Sequence, residues 1–281
     1  TFFHFSLPAW FANIGGFEKR KNVTYFIRFV EKMMSEFGPS IRYVITINEP
    51  QTYASESYLQ QNWPPAIGSR KKFLVVLNNL VYAHNKTAKM LHVMNRRYRV
   101  AIAHNAKYVY PGDDAVLSRL SSRVVQFMSD DYVLRRVKRT SDFIGVNYYH
   151  SSRVYGYRIH NEDKMYNDMG WDMHPDHLEY VLERLHGRYK IPLIVTENGL
   201  ADAGDKYRKW WLGRTMIALS NALEHGVDVR GYLHGTLLDG YEWTHGYWPK
   251  FGLIEVDKAS GKRIIRPSAL WWAKIIKKVK Q

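Results

Sequence analysis

The chain has 281 residues, 46% of them hydrophobic and 24% charged, which suits one large globular domain of residues 1–281 with a substantial core. It contains no cysteine and no run of 18 apolar residues, which excludes disulfides, thiolate catalysis and a membrane-spanning helix, and we expect no membrane partner. The formal net charge of +15 would suit binding to a nucleic acid. However, the basic residues form short clusters without a nucleic-acid-binding motif, so we expect no specific nucleic-acid partner.

Strand-like and helix-like segments alternate along the chain. A β-rich run at 1–5 precedes a helix predicted over 23–37, a strand over 41–47 and an amphipathic helix over 71–94. The order continues with strand–helix pairs, which are 99–103 with 116–138, 142–148 with 176–185, 192–196 with 207–225, and 231–237 with 267–279. Six such units in series predict a parallel sheet with helical crossovers.

Polar residues cluster where the predicted strands end, as at His4, Asn48, Asn147 and Glu197. Several of these strands are almost continuously apolar, as expected when both faces of a parallel sheet are covered. In a parallel α/β barrel the carboxyl ends of the strands form the active face. The pattern therefore predicts a (β/α)8 TIM barrel, of which this chain supplies six of the eight units as a single partial-barrel catalytic domain.

Two carboxylates stand directly after apolar strands. Glu49 lies in the sequence TINEP at 46–50, and Glu197 lies in TENG at 196–199. Glycoside hydrolysis needs two carboxyl groups, one to protonate the leaving oxygen and one to attack the anomeric carbon or activate water. Either glutamate alone could equally end a strand and meet solvent, so the neighbouring motifs decide between these interpretations.

These motifs resemble those of glycoside hydrolase family one, the family of β-glucosidases and β-galactosidases. Residues 46–50 are similar to its acid/base motif, and residues 195–199, VTENG, to its nucleophile motif. Residues 142–149, DFIGVNYY, resemble its sixth strand, and residues 238–243, LDGYEW, its eighth strand and the following loop. Residues 1–8 resemble the end of its third strand. The resemblance covers essentially the whole chain and implies strands three to eight of the barrel.

The resemblance implies a retaining mechanism, with Glu49 as general acid/base and Glu197 as nucleophile, and with no cofactor or metal. Glu49 must carry a proton at the start of the reaction, while Glu197 must stay ionised. The two carboxyl groups are expected to lie about 5–5.5 Å apart, the spacing of retaining enzymes. Covalent glycosylation of Glu197 removes its charge and lets Glu49 act as base toward water. One pair of carboxyl groups thus serves both steps.

The resemblance also implies which residues bind the sugar. Asn48 would hydrogen-bond the 2-hydroxyl and His4 would contact the 3-hydroxyl. Tyr149 would donate a hydrogen bond to Glu197 and orient it, with Asn147 beside it.

Three further residues would line the rest of the sugar site. Glu242 would accept hydrogen bonds from the 4- and 6-hydroxyls, and Trp243 would line that wall. Trp171 resembles the aromatic residue that stacks on the leaving group. The expected ligand is a β-glycoside or oligosaccharide.

The chain departs from the family at Gly235, where a tryptophan is usual, and lacks the two strands that supply a sugar-binding Gln and an Arg beside the nucleophile. The leading hypothesis is a β-glucosidase-like O-glycoside hydrolase acting on β-linked glucosides, galactosides or fucosides. One alternative is a weakly active or inactive sugar-binding remnant that needs a separate N-terminal segment, and another is a basic nucleic-acid-binding barrel. A complementing N-terminal segment or a homo-oligomer would cover the open sheet edges. A cytoplasmic location is expected.

Overall fold

The computed structural model describes residues 1–161 and 165–279. Its α-helices, numbered in chain order, are α1 (Ala9–Asn13), α2 (Val23–Phe37), α3 (Pro50–Tyr58), α4 (Arg70–Met94), α5 (Val116–Gln126), α6 (Tyr132–Val137), α7 (His177–Tyr189), α8 (Arg208–Glu224) and α9 (Pro267–Val279). Its strands are β1 (Tyr43–Asn48), β2 (Arg99–Asn105), β3 (Val109–Pro111), β4 (Ile144–Tyr148), β5 (Ser152–Tyr155), β6 (Arg158–Ile159), β7 (Leu193–Asn198), β8 (Val229–His234), β9 (Ile254–Val256) and β10 (Arg263–Ile265).

The main sheet follows the chain in the order β1-β2-β4-β7-β8, as the alternation of strands and helices predicts. Strands β1 and β2 are parallel, with Tyr43 opposite Arg99. The strand expected over residues 1–5 is shorter in the structure, where Phe3 forms a single parallel bridge to Ile47. The reason is local, because the backbone turns into a left-handed conformation at Phe5, with φ 70°.

Contacts within the chain define two compact units. Unit one comprises the described residues of Thr1–Asn105, Ser129–Val146 and Ile191–Ile194. Its long helix α4 packs on β1, β2 and α2, and buries the apolar side chains of Leu77 and Leu80. The Ser69 hydroxyl, which accepts a hydrogen bond from the Lys72 N–H, caps the start of α4. These contacts fix β1, which carries Asn48 and is followed directly by Glu49.

Unit two comprises the described residues of Ala106–Met128, Asn147–Lys190 and Val195–Gln281. Its helix α8 packs on α7 and α9, and buries Trp211 completely. The carboxylate of Asp202 accepts the backbone N–H groups of residues 206–208 and so holds the loop before α8. Unit two also contains a small sheet of order β3-β5-β6 and an antiparallel pair of β9 and β10.

The single helix predicted over residues 116–138 is wrong in its middle. Between α5 and α6 the backbone widens into a π-helical turn at Phe127–Asp131. Within unit one, the buried Asp130 carboxylate in this turn pairs with the buried His104 Nε2 at 2.9 Å. A π turn of this kind rotates the side chains that follow it, which helical periodicity alone does not reveal.

Candidate active site

Glu49 directly follows β1 in unit one, and its backbone holds it in place. Its N–H donates to the carbonyl oxygen of Ala103 on β2 at 2.8 Å, and the next residue, Pro50, begins α3. The Glu49 backbone is left-handed, with φ 42°, which is uncommon for a residue that is not glycine. The residue as a whole is only 6% exposed. The strand-to-helix turn therefore fixes a mostly buried carboxyl group in an unfavourable backbone conformation, a combination found at functional sites.

The neighbouring Asn48 contacts His4, which is the third predicted site residue in unit one. Asn48 is buried, and its Nδ2 donates a hydrogen bond to His4 Nε2 at 3.1 Å. Because the amide nitrogen of Asn48 donates to Nε2, the ring proton of His4 lies on Nδ1, which is the donor nitrogen of the ring. The Asn48 N–H also donates to the carbonyl oxygen of Phe3 at 2.8 Å. The structure thus brings His4, Asn48 and Glu49 together at one end of β1.

In unit two, Glu197 lies near the carboxyl end of β7. Tyr149 Oη donates a hydrogen bond to Glu197 Oε2 at 2.9 Å. On the residue before it, Thr196 Oγ1 donates to Asn147 Oδ1 at 2.7 Å. A hydroxyl donor to a carboxylate stabilises the ionised form. Glu197 is therefore oriented by Tyr149. Asn147 is hydrogen-bonded to Thr196, the residue directly before Glu197.

Asn198, which the sequence analysis did not select, holds this strand end from the other side. Its Nδ2 donates to the carbonyl oxygen of Tyr148 at 2.7 Å, and its Oδ1 accepts from Trp211 Nε1 at 3.1 Å and from Tyr232 Oη at 3.0 Å. The side chain is fully buried. Such outer contacts fix the backbone that carries Glu197. The sequence signal that could have identified Asn198 is its position directly after Glu197 in the TENG motif.

Three aromatic rings pack together beside Glu197. The centroid of the Tyr149 ring lies 6.0 Å from that of Trp171 and 5.8 Å from that of Phe251, and the latter two are 6.2 Å apart. Trp171 is half-buried, whereas Phe251 is buried. The structure therefore brings the predicted Trp171 to the tyrosine that contacts Glu197. Phe251 is a further member of this cluster, which the sequence analysis did not select.

The loop after β8 positions Glu242 and Trp243. The Glu242 N–H donates to the carbonyl oxygen of Gly246 at 2.7 Å, and Trp243 begins a short 3-10 turn. Burial raises the pKa of the Glu242 carboxyl, and the charge of Asp239 raises it further. Asp239 is itself held by Arg266, with Nη1 to Oδ1 at 3.0 Å and Nη2 to Oδ2 at 2.9 Å. Glu242 thus presents a partly buried acceptor on a turn of its own.

Gly235 lies directly after β8 and next to Tyr149. A Cβ atom at Gly235 would lie 2.9 Å from Tyr149 Oη and 3.8 Å from Glu197 Cβ. A Cβ atom at Gly199 would in turn overlap the carbonyl oxygen of Gly235. The glycine at 235 therefore leaves room for the tyrosine hydroxyl that contacts Glu197, so the position is not a simple void that an added side chain could fill.

Comparison with known proteins gives matches along the whole chain. The family model for glycosyl hydrolase family 1 matches residues 1–135 and 115–281. The chain is 32% identical to the chloroplastic galactolipid galactosyltransferase SFR2 of Arabidopsis thaliana over 99% of this chain and 47% of that protein. It is 28% identical to a β-galactosidase of Sulfolobus acidocaldarius over 97% of this chain and 64% of that protein. The chain thus spans about half the length of the first relative and under two thirds of the second.

A solved structure agrees with these matches. The β-glycosidase from Pyrococcus horikoshii superimposes with a TM-score of 0.91 and 31% sequence identity, covering 97% of this chain and 69% of that chain. This likeness confirms the predicted TIM-barrel class of α/β fold. With a family model matched over the full sequence and this structural agreement, the chain belongs to glycosyl hydrolase family 1.

Proposed function

We propose that this chain carries the catalytic residues of a retaining β-glycosidase acting on β-linked glucosides, galactosides or fucosides. The observation that carries the proposal is the hydrogen bond from Tyr149 to Glu197 at the end of β7. The mostly buried Glu49 at the end of β1 supplies the second carboxyl group that glycoside hydrolysis needs. Family membership supports the same chemistry.

The reaction proceeds in two steps on these two carboxyl groups. In the first, a Glu197 oxygen attacks the anomeric carbon while the proton of Glu49 passes to the glycosidic oxygen, whose bond to the anomeric carbon breaks. The aglycone leaves and the sugar is esterified to Glu197, which has lost its negative charge. In the second, Glu49 takes a proton from water as the water oxygen attacks the anomeric carbon and releases Glu197. Tyr149 keeps the attacking oxygen in place.

The other residues position the sugar. Asn48 and His4, already hydrogen-bonded to each other, are assigned to the 2- and 3-hydroxyls. Trp171 offers its ring to the aglycone, because apolar C–H faces pack well on aromatic surfaces. Glu242, with Trp243 beside it, is assigned to accept from the 4- and 6-hydroxyls.

The stereochemistry of the product tests the proposal. The protein is incubated with 4-nitrophenyl β-glucoside, β-galactoside and β-fucoside, and the anomer first released is identified by NMR before mutarotation. We expect the β-anomer. Release of the α-anomer would show inversion and reject the roles given to the two carboxyl groups. Turnover no greater than that of the Glu197→Gln variant would favour the alternative, a sugar-binding remnant.

A second candidate function is glycosyl transfer, in which a hydroxyl group of an acceptor replaces water in the second step. The identity of 32% to a protein named as a galactolipid galactosyltransferase favours it. The first step is the same in both functions, so the ratio of transfer to hydrolysis in the second step decides between them. Adding a galactolipid as acceptor and measuring formation of its disaccharide headgroup against release of free sugar separates the two functions.

We further propose that another polypeptide segment or a second copy of the chain packs against β8. The support for this contact is Leu233, which is 58% exposed although it belongs to strand β8 of the main sheet. A strand side chain of this size is ordinarily covered by a neighbouring element.

Substituting Gly235 by Ala is expected to lower kcat by about 100-fold, the scale of losing one well-placed donor. The new Cβ atom would lie only 2.9 Å from Tyr149 Oη. We therefore expect the tyrosine hydroxyl to move away from Glu197. The measurement is hydrolysis of nitrophenyl β-glycosides, with Gly187→Ala as the matched control, because nothing lies within 4 Å of a Cβ atom there. Wild-type turnover in Gly235→Ala would contradict this account of the glycine.

Substituting Glu242 by Gln is expected to stabilise the fold at neutral pH and to raise KM. A carboxyl whose pKa is raised in the folded state opposes folding when it is ionised, so the gain is largest above the folded-state pKa. The gain should vanish below the pKa of the unfolded chain, about 4.3. Urea unfolding at several pH values measures it, with the exposed Glu31→Gln as control. An equal gain at all pH values would contradict the electrostatic cause.

A further inference from the structure

Helix α5 in unit two turns its apolar side chains to solvent. The exposed fractions are 66% for Val116, 51% for Leu117, 53% for Leu120 and 62% for Val124. At 3.6 residues per turn these four residues fall within an arc of about 100°. They therefore form one continuous apolar stripe on the outside of the protein.

The polar side of α5 faces inward. The helix packs on β3 and β5, and both Ser118 and Ser122 are buried. Ser118 Oγ accepts a hydrogen bond from the Gly156 N–H at 2.7 Å, which satisfies this inward hydroxyl. A helix on the surface of a soluble protein ordinarily buries its apolar side and exposes its polar side. The reversed orientation of α5 needs an explanation other than core packing.

The turn between β5 and β6 extends the stripe. Tyr157 in this turn is 80% exposed. A Cβ atom on the preceding Gly156 would lie 3.8 Å from Leu117 Cδ2, so the turn is next to the start of the helix. We call the set of Val116, Leu117, Leu120, Val124 and Tyr157 the α5 surface. It combines aliphatic side chains with one aromatic ring that carries a hydroxyl.

The rim of the α5 surface is cationic. Arg119 and Arg123 are exposed and project next to the stripe, on the side of Val116. Neither forms an ion pair with a carboxylate within the described parts of the chain. The α5 sequence contains no acidic residue, and the nearest carboxylates before the helix are Asp113 and Asp114. Apolar side chains flanked by arginines that have no carboxylate partner among the described residues match an anionic and apolar partner.

We propose that the α5 surface docks on an anionic lipid membrane, with α5 lying in the plane of the headgroups. The aliphatic side chains enter the boundary of the acyl chains, while Arg119 and Arg123 extend to the lipid phosphates. The net charge of +15 attracts the protein to such a surface. A second copy of the chain is a poorer partner, because self-association through this surface would bring the arginines of both copies together.

Binding through a helix that lies on the membrane surface differs from insertion of a membrane-spanning helix, which is what the sequence excluded. No helix of the described residues is long and apolar enough to cross a bilayer. A helix that lies on the membrane needs only one apolar side and a basic rim, which α5 provides. The expectation of no membrane partner was based on spanning helices alone.

Vesicle binding by the whole 281-residue chain tests the proposal. Cosedimentation is measured with vesicles of phosphatidylcholine alone and of equal parts phosphatidylcholine and phosphatidylglycerol. We expect binding to the second kind only. The double substitution Leu120→Glu with Val124→Glu should weaken it about 100-fold, from lost apolar burial. Arg119→Gln with Arg123→Gln should weaken it about 25-fold, since each basic residue near an anionic surface contributes roughly a factor of five.

Matched variants separate the α5 surface from general effects of charge. Val93→Glu with Leu223→Glu makes the same chemical change at positions that are 88% and 52% exposed. Arg96→Gln with Arg97→Gln removes the same charge from another exposed site. Both controls should bind as the wild type does. Equal weakening in the controls, equal binding to neutral vesicles, or no binding at all would overturn the proposal. A dimer that Leu120→Glu with Val124→Glu dissociates, without vesicle binding, would assign the surface to subunit contact.

Discussion

Substituting Glu197 by Gln is expected to lower kcat by at least about 10⁴-fold for every substrate, the scale of removing a nucleophile that works with partner groups. The amide keeps the shape of the side chain and still accepts the hydrogen bond that Tyr149 donates at 2.9 Å in the wild type. It cannot form the ester to the anomeric carbon. The loss should therefore be the same for good and poor leaving groups, because it removes the first step itself.

Binding and folding serve as the controls for this variant. Glu197→Gln should keep its affinity for a substrate within a few-fold, measured by calorimetry without turnover, and should unfold at a temperature no lower than that of the wild type. A second control, Glu179→Gln, changes a partly exposed carboxylate on α7. Residual turnover within tenfold of the wild type, at unchanged protein purity, would show that the nucleophile lies elsewhere.

Substituting Glu49 by Ala should produce a loss that depends on the leaving group. For 2,4-dinitrophenyl glycosides, whose leaving group needs no proton, we expect the first step to slow by less than about tenfold, whereas alkyl glycosides should lose about 10³-fold, within the range for general acid catalysis. The second step should also slow, since no base activates water. The glycosyl-enzyme should then accumulate, visible as a burst of dinitrophenolate.

Azide distinguishes this variant from the previous one. Azide is a nucleophile that needs no general base, so it should restore the second step of Glu49→Ala and yield a β-glycosyl azide. It should do nothing for Glu197→Gln, in which no glycosyl-enzyme forms. Equal losses in both variants without rescue by azide would reject the assignment of acid/base to Glu49 and of nucleophile to Glu197.

The positions of the long helices and the order of the main strands were predictable from the sequence, but the predicted strand ends differ from those of the structure by up to three residues. Helix α2 begins and ends at the predicted residues, and α9 begins at the predicted Pro267, because each carries an apolar pattern of helical period with proline or glycine at a boundary. The predicted hydrogen bond between Tyr149 and Glu197 is present in the structure. It followed from the family motifs, since nothing in the local pattern joins residues 48 positions apart.

Other features depend on contacts that a linear pattern does not contain. The two-residue strand β6 and the three-residue strands β3, β9 and β10 are too short for a period-two pattern to identify. The π turn interrupts a segment whose composition remains helical. The role of Gly235 arises from Tyr149, which is distant along the chain, so the sequence showed the missing tryptophan but not the hydroxyl group that lies beside this glycine.

The left-handed backbone of Glu49 has a consequence for the balance between stability and activity. A side chain with a Cβ atom is disfavoured at φ 42°, whereas glycine adopts this conformation freely. Glu49→Gly would therefore relieve strain that Glu49→Ala retains, although both lack the carboxyl group. Selection for thermal stability alone, with no demand for turnover, would favour the loss of this glutamate. Its presence in a conformation that opposes folding is the cost of aiming a carboxyl group from the end of β1.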